Sequence, residues 1–136
     1  LTNRLPTAGK EFPDTPKLLA GMTVQYANGP FLATLSNKFT GLRYSSLVND
    51  EAVPGFHLTD LALGYRLPNT QWIKNVTLRL NVSNLLDKNY LVLSAGSGSS
   101  FVRNARPIAG VTTGSGAVFY YVGAPRFTSA SVTMDF

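Results

Sequence analysis

His57 is the only histidine in the chain, and there is no cysteine. A metal centre or a nucleophile–base pair needs several such groups converging on one point. No Asp, Glu or second His clusters with His57, so it reads as a strand-end residue and not as a ligand or a general base. Serines are abundant, but the one histidine has no evident triad geometry, so none reads as a nucleophile. Gly96-Ser97-Gly98-Ser99 lacks the Gly-Lys-Ser/Thr and the following helix of a phosphate loop. Asp87 has no visible partner to tune it for acid–base work. The chain therefore reads as a non-enzyme, with no catalytic residues, no resident cofactor and no metal. Binding chemistry is a different matter. Phe101, Arg103 and Arg106 lie in a Gly- and Ser-rich stretch, where charge and stacking suit an anionic or catecholate ligand. Asp60, Arg66 and Arg79 are charges set among alternating strand residues.

Those residues need elements to hold them, and the elements have a period of two. In Phe127–Phe136, Ala130, Val132, Met134 and Phe136 alternate with Ser129, Ser131, Thr133 and Asp135. The same alternation predicts strands over Lys17–Ala27, Phe31–Tyr44, His57–Leu67 and Asn75–Leu85, and over Phe119–Phe136 with a break at Gly123-Ala124-Pro125. Leu32 interrupts the polar face of the second strand and Asn37 its apolar face. On this register Asp60, Arg66 and Arg79 share the polar side. Asn28-Gly29 signals a hairpin, although Pro30 argues against a simple two-residue loop. Asn84 and Asp87 are placed to bond nearby backbone and end a strand.

Connections 28–30 and 68–74 are short, whereas 45–56 and 91–118 are long, polar and aperiodic. Short and long alternate, so each kind lies at one end of the sheet. Tyr26, Phe31, Tyr65, Trp72 and Phe136 fall near the short end; Phe39, Tyr44, Phe56, Tyr90 and Tyr120 fall near the other. Short periplasmic turns, longer extracellular loops and two aromatic girdles are features of outer-membrane barrels. Charged residues make up only 14% of the 136, against about a quarter in soluble domains. Mean hydropathy is +0.05, yet no run approaches the ~20 apolar residues of a membrane helix. The net charge of +5 comes from scattered Lys and Arg, which argues against a nucleic-acid partner. The fold class is therefore all-β, a transmembrane antiparallel β-barrel wall. Too few strands are present to close a barrel, and open edges are not tolerated in lipid. Leu1 is not a start residue and no signal segment follows it, so the chain reads as a mature piece of something larger. A passive porin-like or adhesin-type barrel, and a soluble β-sandwich binding module, stand as alternatives.

Asn81-Val82-Ser83-Asn84-Leu85-Leu86-Asp87-Lys88-Asn89-Tyr90 resembles the Asn-Leu-Phe-Asp-Lys-x-Tyr segment near the C-terminus of TonB-dependent outer-membrane receptors, with Leu86 where Phe is commoner. Gly123-Ala124-Pro125-Arg126-Phe127, leading into a strand that ends in Phe, is similar to that family's Gly-x-Pro-Arg stretch. Asp14-Thr15-Pro16-Lys17 and Val53 to Leu61 also resemble it. The resemblance implies that residues 1–136 are the last five strands of a barrel of about 22 with a plugged lumen, the plug and earlier strands being absent. It implies a place in the outer membrane of a Gram-negative bacterium, contact with its lipid, and uptake driven by the TonB complex through an N-terminal region this chain lacks. Ferric siderophores are the commonest cargo it implies. It also implies that Val132, Met134 and Phe136 form part of the signal read by the outer-membrane assembly machinery.

Overall fold

In a computed structural model of the protein, the described residues are 7–69, 74–93, 107–108, 111–112 and 119–135. They form strands and no helix. In chain order these are β1 (Leu19–Asn28), β2 (Phe31–Thr40), β3 (Arg43–Tyr44), β4 (Ala52–Val53), β5 (Phe56–Arg66), β6 (Lys74–Ser83), β7 (Leu91–Leu93), β8 (Pro107–Ile108), β9 (Val111–Thr112), β10 (Tyr120–Val122) and β11 (Phe127–Asp135). The long strands make one sheet in the order β1-β2-β5-β6-β11. Each is next to its predecessor among the long strands, an up-and-down meander. The sheet is open, with β1 and β11 at its edges.

The register confirms the alternation. Leu61, Leu63 and Tyr65 of β5 lie opposite Val82, Leu80 and Leu78 of β6. Leu80 and Leu78 lie opposite Ala130 and Val132 of β11. Opposed residues share a face, so these make one apolar surface. The other face carries Ala62, Gly64 and Arg66 against Asn81, Arg79 and Thr77, and then Ser129, Ser131 and Thr133. The register shifts between Thr133 and Asp135, where Asp135 meets Lys74 and Thr133 meets Thr77. The extra residue is on β6, at Asn75, whose φ of 53° suits the sharp bend of a bulge.

Both exceptions in the second strand have a physical reason, while Leu19, the exception in the first, is exposed at the start of β1. Leu32 on the polar face lies over Gly64, 3.7 Å from where a Cβ there would stand. A glycine opposite a leucine leaves room for the larger side chain. Asn37 on the apolar face donates from Nδ2 to Thr59 Oγ1 at 2.7 Å, so the two polar intruders satisfy each other.

Some boundaries differ from expectation. The turn after Asn28 is a simple two-residue loop, Gly29-Pro30. Gly29 has φ 54°, and proline fixes its own φ near −65°, the sign pattern of a type II′ hairpin. The second strand stops at Thr40, not Tyr44, and Gly55 passes so close to Thr40 O that a Cβ would stand 2.8 Å from it. Arg43 and Tyr44 pair instead with Val53 and Ala52, making a small hairpin out of much of the predicted 45–56 loop. The 91–118 stretch also holds short strands: Leu91–Leu93 pairs with Tyr120–Val122 just beyond it, and Pro107–Ile108 with Val111–Thr112. The break at Gly123-Ala124-Pro125 separates β10 from β11 as expected.

The residues group into two compact units. One holds Leu1–Leu19, Thr40–Phe56 and Tyr90–Gly123; the other holds Ala20–Phe39, His57–Asn89 and Ala124–Phe136. The second contains most of the sheet.

Candidate functional site

Within the second unit the polar face carries the predicted charges Asp60, Arg66 and Arg79. It is lined by short hydroxyl and amide side chains, because a strand face opposite an apolar one must carry groups that tolerate water. Thr23 Oγ1 and Ser36 Oγ lie 3.2 Å apart across β1 and β2. Arg79 stands exposed between Gly64 and Ser131, two small neighbours that leave its guanidinium unhindered. Arg66, opposite Thr77 near the short-turn end, is also exposed. Asp60 is on the same face but is already engaged: its Oδ1 accepts from the Asn84 backbone N–H at 2.9 Å. Asp60 thus caps the end of β6, and the two arginines are the freer charges of the predicted trio.

The Asn84–Tyr90 stretch is a structural staple, as its residue types suggested. Asn84 is only 5% exposed and has φ 51°, a conformation asparagine tolerates better than most residues. Its Nδ2 donates to Lys88 O and to Ala124 O, both at 3.0 Å, and its Oδ1 accepts from Lys88 N–H at 2.8 Å. Asp87 Oδ1 accepts from Arg126 N–H at 3.0 Å. The two side chains tie the end of β6 to the segment entering β11.

The first unit contains a buried cluster that the residue pattern did not announce. Arg43, 8% exposed, sends Nη1 to Asp14 Oδ1 at 2.9 Å and Nη2 to Leu91 O at 3.1 Å. Its guanidinium lies over the Phe56 ring, 5.6 Å from the centroid, and Phe56 stacks on Tyr90 at 4.5 Å. Gly123 N–H donates to Tyr90 O at 2.8 Å, and a Cβ on Gly123 would collide with the Tyr90 ring. Tyr120 OH lies 2.9 Å from Ser45 Oγ and donates to Glu51 Oε1 at 2.7 Å. Phe56, Tyr90 and Tyr120 were expected in an outer aromatic girdle; they are half-buried, and their rings and hydroxyl are engaged inside this unit. At the edge of the unit, Lys17 lies 2.6 Å from Glu11, and this hydrogen bond and charge hold its ammonium above the ordinary lysine pKa.

Phe101, Arg103 and Arg106 lie outside the described residues, as do Trp72 and Phe136. His57 is exposed at the start of β5, and no group of three or more His, Cys, Asp or Glu converges among the described residues. Val132 and Met134 are exposed on the apolar face.

Residues 2–85, well over half the chain, match the family described as TonB-dependent receptor-like, β-barrel. The chain belongs to the TonB-dependent receptor β-barrel family. That family consists of receptors and transporters and is not a family of enzymes. Among solved structures, the chain is similar to the ferric citrate transporter FecA in its unliganded form, with a TM-score of 0.61 and 20% identity over 87% of this chain. At that identity the likeness shows the fold, that of a TonB-dependent receptor barrel. The match covers 16% of the FecA chain, so this chain spans a small part of that protein's length. No curated protein matches the chain at a significant level.

Proposed function

We propose that the chain is the C-terminal part of the barrel of an outer-membrane receptor that binds and imports a scarce nutrient, a ferric siderophore or related ferric chelate, using energy relayed by TonB. The complete barrel has about 22 strands around a plug, of which β1, β2, β5, β6 and β11 are the last five. The short turns Gly29-Pro30 and 67–73 face the periplasm, and the long connections face the outside. The apolar face of Leu63, Leu80, Ala130 and Val132 meets lipid; the face of Arg66, Arg79, Asn81 and Ser131 lines the lumen. The observation that carries this reading is that two-faced meander, with short and long connections alternating, in a chain of this family.

The chemistry of the polar wall supports an anionic cargo. Arg66 and Arg79 are unobstructed cations among neutral donors, while Asp60 is occupied by a backbone amide. Phe101, Arg103 and Arg106 make the first contact in the outer loop, by charge and stacking. FecA, the fold relative, carries ferric citrate, also an anion. The terminal strand supplies Val132, Met134 and Phe136 to the assembly machinery.

The test is uptake of radioactive iron as ferric citrate or a ferric catecholate by cells whose only such receptor is the intact protein. Uptake that requires TonB is expected. Uptake of the same solutes without TonB would instead mark a passive porin, and recovery of the protein in the soluble fraction without detergent would return the sandwich alternative.

A further inference from the structure

The first unit joins two connections that are remote in sequence, and it does so with buried and half-buried side chains. Arg43 and Ser45 belong to the β3 limb of the β3–β4 hairpin, and Glu51 immediately precedes its β4 limb. Leu91 belongs to β7, and Tyr120 to β10, the two strands that pair at the base of the 91–122 connection. Arg43 reaches β7 through Leu91 O, and Tyr120 reaches back from β10 to Ser45 and Glu51. The ties thus engage both limbs of the second connection. Ser45 is fully buried, and its backbone N–H donates to Glu51 O at 2.9 Å, so the hairpin presents Ser45 and Glu51 as one fixed receptor for the Tyr120 hydroxyl. The Arg43–Phe56–Tyr90–Gly123 stack adds a second, apolar tie. Asp14, bonded to Arg43 and donating its own N–H to Tyr44 O at 2.8 Å, anchors the hairpin from the other side.

We infer that the 43–53 hairpin and the β7–β10 ribbon act as one mechanical body, so that a ligand contact ordering either connection also orders the other. Tyr120 and Arg43 are the positioning residues of this coupling. Hydrogen bonds between partly buried groups are costly to break where water cannot reach both partners, so a displacement of one element drags the other with it. Two long loops without such ties would respond to a ligand independently. The inference concerns the loop bases and does not depend on which solute is carried.

The test is amide hydrogen exchange on the intact outer-membrane protein in detergent micelles, comparing wild type with Tyr120→Phe. The substitution keeps the ring and removes the hydroxyl. Exchange should rise on the order of tenfold at residues 45–53 as well as at 120–122, with β5, β6 and β11 unchanged. A rise confined to 120–122, or no rise at either place, would overturn the inference. Arg43→Lys, which keeps the charge but loses the forked contact to Asp14 and Leu91, should raise exchange in both the hairpin and 91–93. If Tyr120→Phe does not assemble, Glu51→Gln is read by the same two-site criterion. Exchange is independent of transport, so a protein that imports nothing can still pass or fail.

Discussion

Replacing Asn84 with alanine should be among the most damaging small changes in the sheet unit. The side chain makes three hydrogen bonds, to Lys88 O, Lys88 N–H and Ala124 O. Lys88 and Ala124 are exposed residues, so water recovers part of each loss, and about 1 kcal/mol per bond is the appropriate scale. Together that is about 3 kcal/mol. Alanine must also hold φ near 51°, which costs an L-residue with a Cβ about 1 kcal/mol more. The expected loss is about 4 kcal/mol for Asn84→Ala and about 3 kcal/mol for Asn84→Gly, because glycine removes the strain but not the missing bonds. Asn84→Asp keeps the acceptor for Lys88 N–H but turns a carboxylate oxygen toward two carbonyls, so it should be no better than alanine. The assay is guanidinium unfolding of the intact protein in micelles, with amide exchange at Lys88 and Arg126 as the local readout. An alanine variant within 1 kcal/mol of wild type would refute the assigned role. Equal losses for alanine and glycine would refute the conformational part of it.

Three further perturbations separate other parts of the structure. Gly123→Ala should cost about 1–3 kcal/mol through overpacking against Tyr90, and Tyr90→Ala in the same chain should recover part of it; thermal unfolding of both variants decides. Thr59→Val alone should destabilise by about 1–3 kcal/mol, because the Asn37 amide loses its partner on the apolar face. Adding Asn37→Leu should remove most of that penalty, and an additive double-mutant cycle would argue against the pair. Leu80→Arg, between Leu63 and Ala130, should cost about 2–4 kcal/mol in a bilayer. Asn81→Arg, one residue along on the polar face, should assemble normally; equal assembly of the two variants would show that the faces are misassigned.

The long strands were legible because alternation is a local signal that tertiary structure rarely overrides in a wall with two different solvents. Even the irregular positions, Leu32 and Asn37, were visible as irregularities. Their resolution needed the partner strand, since Gly64 and Thr59 lie on β5. The β3–β4 hairpin was missed because two-residue strands are too short to show a period, and the expected second strand was carried on through Arg43 and Tyr44, where the alternation of β2 has already inverted. The Gly29-Pro30 turn was misjudged because proline was weighed as a breaker, when its fixed φ suits the second position of a II′ turn. The buried cluster was beyond reach for a different reason. Arg43 lies 29 residues from Asp14 and 48 from Leu91, and Tyr120 lies 69 from Glu51. No local pattern encodes such pairs.

The distribution of burial bears on which solvent this sheet requires. Among the described residues Val53 is the one hydrophobic side chain that is fully buried. Met22, Val24, Tyr65, Leu78, Leu80 and Val132 are all exposed, and all lie on the apolar face. In water a sheet of this size folds by covering such a face with a second layer, at about 25 cal/mol per Å² of apolar area removed from contact with solvent. No described element supplies that layer. In lipid the requirement changes: the apolar face is already at home, and what must be satisfied is every backbone N–H and C=O along the wall. The ladders β5–β6 and β6–β11 do this for the strands they join, and the unfilled demand passes to the outer edges of β1 and β11. A sheet whose side chains do not need a second layer but whose edges need further strands is what a segment of a closed transmembrane wall requires, and a sandwich domain makes the opposite pair of demands.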